Sequence, residues 1–124
     1  MIAVDTCVVI DFLQGEDNPQ AQAFAGLLAE ESAVLAPSTV TELLSDPIGG
    51  PVSGDLIAQL KRLEVQDGYW ERAGLARATL KGRGLKAALG DALIAQACLD
   101  ADVPLLTRDA DFRSFAQWCG LKLA

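Results

Sequence analysis

Short apolar runs that alternate with helical stretches constrain this chain more than any other feature in it. Ile2-Ala3-Val4, closing on Asp5, then Ala33-Val34-Leu35-Ala36 and Val103-Pro104-Leu105-Leu106-Thr107 each have the length of a buried strand, and Leu63-Glu64-Val65 is a weaker one. Between them lie segments with apolar residues at helical spacing: 6–14, 20–30, the stretch opened by Pro37-Ser38-Thr39 and running through Leu44, then 54–62, 69–80, 91–99 and 109–118. Strands separated by helices need crossover connections, and these make the sheet parallel. The expected fold is α/β, a three-layer α/β/α sandwich with a mostly parallel central sheet and a terminal edge strand over 121–123. Ser45-Asp46-Pro47-Ile48-Gly49-Gly50-Pro51 is a breaker cluster and reads as a loop, because neither side of it could fold alone. Lys81-Gly82-Arg83-Gly84 reads as a basic, flexible break. With 124 residues, 51% of them apolar, one domain spanning 1–124 can bury a core without staples.

Composition removes whole classes of chemistry. There is no histidine, which excludes Ser-His and Cys-His nucleophiles and His-ligated zinc. Cys7, Cys98 and Cys119 are odd in number, far apart and form no CxxC, as expected of a reduced, cytoplasmic protein. No apolar run approaches the roughly 20 residues of a membrane span, and no basic segment precedes the first apolar triplet as a secretory signal would require. The net charge of −7 argues, on its own, against non-specific nucleic-acid binding.

Ligands of parallel α/β sheets bind outside the carboxyl ends of the strands. Asp5 stands there after the first run. Glu42 lies at the start of the helix that follows the second, Asp91 opens the apolar helix, and Asp109 and Asp111 follow the late strand in "LLTRDADF". Each has a purely structural explanation. Asp5 or Thr6 caps the first helix, Thr39-Val-Thr-Glu42 matches a capping box, Asp91 complements a helix dipole, and Asp109 caps the last helix. Together they are harder to dismiss, since four segments bring acids to one sheet edge. Crowded carboxylates repel unless a cation offsets them. Without His or Cys in the set, that cation is a hard one, Mg²⁺ or Mn²⁺, and the usual chemistry of such clusters is phosphodiester hydrolysis.

The residues then match a known family. "VDTCVVIDFL", "STVTELL" around Glu42, "GDALIAQACL" around Asp91, "PLLTRDADF" and the stretch "DGYWERAG" resemble, in order and spacing, the PIN-domain ribonucleases and among them the VapC toxins of toxin–antitoxin pairs. The resemblance implies that Asp5, Glu42, Asp91 and Asp109 form the catalytic quartet. Asp5, Asp91 and Asp109 would hold Mg²⁺ or Mn²⁺, and Glu42 would orient or deprotonate the attacking water. Thr6 and Thr107 would support the site, and Asp111 rivals Asp109. The implied substrate is single-stranded or looped RNA, the implied partners a cognate antitoxin and a second copy in a homodimer. Cys7 stands where many relatives carry Ser or Asn, and Asp109 where many carry Asn. Lys81, Arg83, Lys86 and Arg108 are candidate RNA contacts, with Arg113 also flanking the last acids. Trp70 and Trp118 fall in helical apolar patterns and read as packing residues rather than base-stacking platforms.

Rival readings lack their signatures. A response-regulator receiver needs an adjacent acidic pair after its first strand and a Lys after its last, where this chain has Asp5-Thr6-Cys7 and Arg108. A haloacid-dehalogenase-type phosphatase needs Asp-x-Asp after the first strand, and the only such triplet here is Asp109-Ala110-Asp111. A silent binding module of the PIN fold would bind metal without cutting RNA.

Overall fold

A computed structural model describes residues 1–124. The elements run β1 (Ile2–Val4), α1 (Thr6–Leu13), α2 (Pro19–Ala29), β2 (Ala33–Leu35), α3 (Pro37–Leu44), α4 (Gly50–Ile57), β3 (Lys61–Arg62), α5 (Tyr69–Gly82), α6 (Leu89–Ala101), β4 (Leu105–Leu106) and α7 (Phe112–Cys119). The four strands lie in the order β3-β2-β1-β4, and every pairing is parallel. The α/β/α sandwich expected from the alternation is the fold observed. No helix is long and apolar enough to cross a membrane.

Strand alternation sorts the core into two halves. Side chains along a strand point to opposite faces. Ala3, Val34 and Leu105 therefore pack on one face with Tyr69, Leu80, Ile94, Phe112 and Phe115 from α5, α6 and α7. Val4, Leu35 and Leu106 pack on the other with Val8, Val9, Phe24, Val40, Leu43 and Ile57 from α1 to α4. Ala92, Ala95 and Ala97 are fully buried, and such small side chains let α6 lie close to the sheet.

The strand order also fixes where function can sit. From β1 the chain crosses to β2 and β3 on one side, and it returns to β4 on the other. The order reverses between β1 and β4, and the diverging connections leave a crevice outside the carboxyl ends of those two strands. Asp5 follows β1 directly, and Thr107 follows β4.

Several boundaries differ from expectation, each for a physical reason. The helix expected over 54–62 is α4, Gly50–Ile57, because Pro51 sits in its first turn, where the missing N–H costs nothing. Strand three is Lys61–Arg62 rather than 63–65. It is an edge strand whose exposed basic side chains discourage further pairing, while Leu63 donates its N–H to the Leu35 carbonyl and packs on the core. The break expected over 81–84 starts only at Arg83, since α5 runs on through Gly82. The terminal edge strand shrinks to one parallel bridge, Leu105 to Leu123, with the Ala124 N–H donating to the Leu105 carbonyl at 2.9 Å.

Candidate functional site

Asp5 is buried at the end of β1 and is held by three donors. Its Oδ1 accepts from the Thr6 N–H at 2.8 Å, which makes it the N-cap of α1. Its Oδ2 accepts from the Thr107 hydroxyl at 2.7 Å and from the Cys7 thiol at 3.2 Å. Thr107 in turn accepts from the Asp109 N–H at 3.0 Å, so β1 and β4 are tied together across the crevice. Burial, and less strongly the Asp5 charge, push the Cys7 thiol up to about 11, so it remains a donor at neutral pH.

Glu42 does not close a capping box. Helix α3 begins at Pro37, with Ala36 as its N-cap and no side-chain cap bond, so Thr39 lies inside the first turn, buried and with an unpartnered hydroxyl. Glu42 instead faces the site and accepts from the Thr6 hydroxyl at 3.1 Å. Loss of water around its carboxyl raises its pKa, the Thr6 hydrogen bond lowers it, and the nearby Asp5 charge raises it again.

Asp91 lies in the first turn of α6, two residues after its first helical position. Its pKa is raised to about 6, first by burial and then by the charges of Asp109, Asp5, Asp111 and Glu42 in decreasing order. All five acids singled out in the sequence therefore act on one point in space. Asp91, Asp109 and Asp111 come nearest, each offering an oxygen within 4.8 Å of the others. The structure thus draws Asp111 into the tightest cluster, while Asp5 lies outside it and acts on Asp91 through its charge. Asp109 is not the cap of α7. Its Oδ1 accepts the Asp111 N–H at 2.9 Å, a local turn that holds both carboxylates toward the site. The donor set is all oxygen and carries excess negative charge, as a hard divalent cation requires.

The cationic candidates separate. Lys86 reaches the cluster and pairs with Asp111 at 2.9 Å, and the pairing raises its pKa. Arg108 turns away and grips the buried Asp11, one nitrogen at 3.1 Å, with Asn18 donating to the same carboxylate at 3.0 Å. Arg83 lies over the Trp118 ring, 3.4 Å from its centroid. Lys81 sits exposed in the last turn of α5. Both tryptophans depart from the packing role expected of them. Trp70 is 63% exposed and Trp118 39%, which helical spacing alone did not reveal.

The PIN-domain family profile matches residues 2–117, nearly the whole chain. The chain belongs to the PIN-domain family. Among curated proteins no sequence matches it significantly. Among solved structures, this PIN domain is similar to a chain of VapBC2 from Rickettsia felis bound to a DNA fragment from its promoter (TM-score 0.77, 17% identity, covering 100% of this chain and 98% of that one). It is also similar to a chain of VapBC-1 from nontypeable Haemophilus influenzae (TM-score 0.76, 21% identity, 100% and 97%) and to one of a toxin–antitoxin complex from Klebsiella pneumoniae (TM-score 0.69, 18% identity, 98% and 95%). At these identities the likeness is one of fold.

Proposed function

We propose that this PIN domain is a metal-dependent endoribonuclease that hydrolyses phosphodiester bonds of single-stranded or looped RNA, and that it is the toxin of a toxin–antitoxin pair. The observation that carries the reading is the convergence of Asp5, Glu42, Asp91 and Asp109 from four segments on the crevice between β1 and β4, with Asp91 raised to about 6 by burial first and then by the charges of the other acids. Asp5, Asp91 and Asp109 would hold Mg²⁺ or Mn²⁺ directly or through water, and Asp111 is near enough to Asp91 and Asp109 to share the task. Such an ion supplies positive charge that activates water and steadies the leaving oxygen.

The chain's own groups do the rest. Thr6, Thr107 and Cys7 hold the Asp5 carboxylate in one orientation at the end of β1. The Thr6 hydroxyl occupies Oε1 of Glu42 and leaves Oε2 to take a proton from the attacking water. A raised pKa makes that carboxylate a better base near neutrality. Lys86, on the rim of the cluster, is placed to meet the phosphate.

The antitoxin and the second copy belong to the same proposal, as does a cytoplasmic location. A groove of about 310 Å³ between α1, α3 and α4 offers Ile10, Ile48 and Val52 to a partner and reaches Glu42 at its end. The similar Klebsiella structure is a toxin–antitoxin complex. Sedimentation of the chain alone tests the homodimer.

The test of the activity is a gel assay. End-labelled structured RNA is cut in Mg²⁺ or Mn²⁺, and cutting vanishes with EDTA and with Asp91→Asn. Cutting that survives Asp91→Asn would remove the site assignment.

A further inference from the structure

Asp11 is a buried carboxylate that the chemistry above does not use. It lies on α1, 6% exposed, and is gripped by three donors. Two nitrogens of Arg108 take its two oxygens, one of them at 3.1 Å, and the Asn18 side chain donates at 3.0 Å. Asn18 is itself the N-cap of α2, accepting from the Ala21 N–H at 2.8 Å. We propose that Asp11 is a positioning residue for the acid cluster: it clamps the Arg108 guanidinium on α1 and so leaves the carboxylates of Asp91, Asp109 and Asp111 free to take a metal ion. The proposal rests on the metal site read above and adds the residue that keeps it open.

Stability alone does not account for such a pair. Taking a carboxylate out of water is costly, and a buried ion pair gains little over apolar side chains of similar volume. The place of Arg108 in the chain does account for it. Arg108 lies between Thr107, which donates to Asp5, and Asp109. Arg108 and Asp109 line one recess of about 240 Å³. The Arg108 side chain is half exposed, so packing does not restrain it, and Asp11 is the only side chain that bonds it. The cluster beside it has three carboxylates with oxygens within 4.8 Å of one another, and Lys86 is the one cation paired there. A guanidinium carries five donors in a fork that matches carboxylates, and it keeps its charge at any pH near neutrality. Unclamped, Arg108 would swing to Asp109 and hold a fixed positive charge where a divalent ion has to bind. Asp11 lies outside the trio and acts on it through the arginine it holds.

The experiment titrates Mn²⁺ alone into the full chain, reading the free ion by electron paramagnetic resonance, for the parent, Asp11→Asn and Asp11→Asn/Arg108→Gln. Circular dichroism checks that each is folded. Asp11→Asn is expected to raise the Kd for Mn²⁺ about 10- to 100-fold, the scale on which one charge a few ångströms away biases another at a carboxylate. The double variant has no arginine to release and is expected to return to within about threefold of the parent. Cleavage of labelled RNA by Asp11→Asn should need correspondingly more Mn²⁺ for half its maximal rate, and should then reach a rate close to that of the parent. An unchanged Kd in Asp11→Asn, beside a parent that binds Mn²⁺ and cuts RNA, would overturn the clamp and leave the ribonuclease reading standing. A double variant as weak as the single one would make the pair a staple of the fold and overturn the clamp as well. Where Asp11→Asn does not fold, the double variant, which buries no unpaired charge, decides: Mn²⁺ binding at the strength of the parent supports the clamp, and weaker binding overturns it. A parent that binds no Mn²⁺ would overturn both the clamp and the metal site.

Discussion

A single carboxyl, that of Asp91, reports on the whole site. Its folded pKa of about 6 exceeds its ordinary 3.8, so the folded chain binds that proton more tightly than the unfolded chain. The stability this group contributes is fully present below about pH 4 and is lost as pH rises through about 6. Asp11 and Asp100 are lowered by their arginine partners and act oppositely, losing their contribution only as pH falls below the ordinary carboxylate range. Melting the metal-free protein between pH 5 and pH 8 thus isolates the acid cluster. Asp91 should account for about 1 kcal/mol after solvent screening, or about 3 °C. Asp91→Asn is expected to flatten that slope and to melt higher than the parent at pH 8. It should also abolish Mn²⁺ binding, read by electron paramagnetic resonance, and RNA cleavage. Glu42→Gln should leave the melting temperature within about 1 °C, because no cap is lost, while cleavage falls at least about 100-fold. An active Glu42→Gln protein would return Glu42 to a surface role. All five acids were legible in the sequence because strand ends and helix starts must share an edge in a parallel sheet. What the sequence could not tell was how they divide. Asp111 joins the closest trio only because the turn that Asp109 closes on the Asp111 N–H brings it round.

At the level of elements, α6 carries the most constraint, and α5 is what holds it. The Arg72 guanidinium makes a two-pronged pair with Asp100, at 2.9 and 2.7 Å, where Gln96 donates as well at 2.8 Å, while the Tyr69 hydroxyl reaches the Leu93 carbonyl. Gly68, at φ 81°, makes the entry to α5 possible. A side chain there would be strained and would collide with the Arg72 guanidinium. Tyr69→Phe removes the hydrogen bond to the Leu93 carbonyl and is expected to cost about 1 kcal/mol in urea unfolding. Arg72→Ala leaves the buried Asp100 charge with Gln96 alone and should cost about 2 kcal/mol. Both should lower activity only in proportion to the unfolded fraction. Sequence reading found these helices by their spacing but misplaced α4 and β3. A Gly-Pro pair reads as a break from sequence alone, yet Gly50-Pro51 opens a helix because the preceding turn already sets the Gly50 N–H on the Asp46 carbonyl at 2.8 Å. The third strand was sought among apolar residues, whereas an edge strand needs backbone pairing more than burial, and Lys61-Arg62 supply it.

For the molecule as a whole, the net charge of −7 stands against the proposed RNA substrate. The geometry localises it, since the acids that repel RNA most strongly are those a divalent ion would neutralise. RNA binding by this chain is therefore expected to be nearly absent in EDTA and to appear on adding Mg²⁺, read by filter retention of labelled RNA on the Asp91-intact protein in Ca²⁺ and Mg²⁺ series. Binding of equal strength in EDTA would place the RNA elsewhere on the surface. We also expect residues 1–124 to unfold in one cooperative step, as the two half-cores share β1, β2 and β4.

The segment that pairs beside β4 runs parallel to it, so its end is carried toward the working edge of the sheet rather than away from it. Ala124 shares a recess with Thr107, Arg108, Asp109 and Arg113. Met1 lies at the opposite edge, where β1 begins. A purification tag or fluorescent protein joined after Ala124 would hang over the candidate crevice as a tethered obstruction at high local concentration, and under the proposed activity it would dampen turnover with no change in any residue of the site. The same cargo joined before Met1 would trail from the far side, and comparing the two fusions would measure how much open space a bound strand needs to enter.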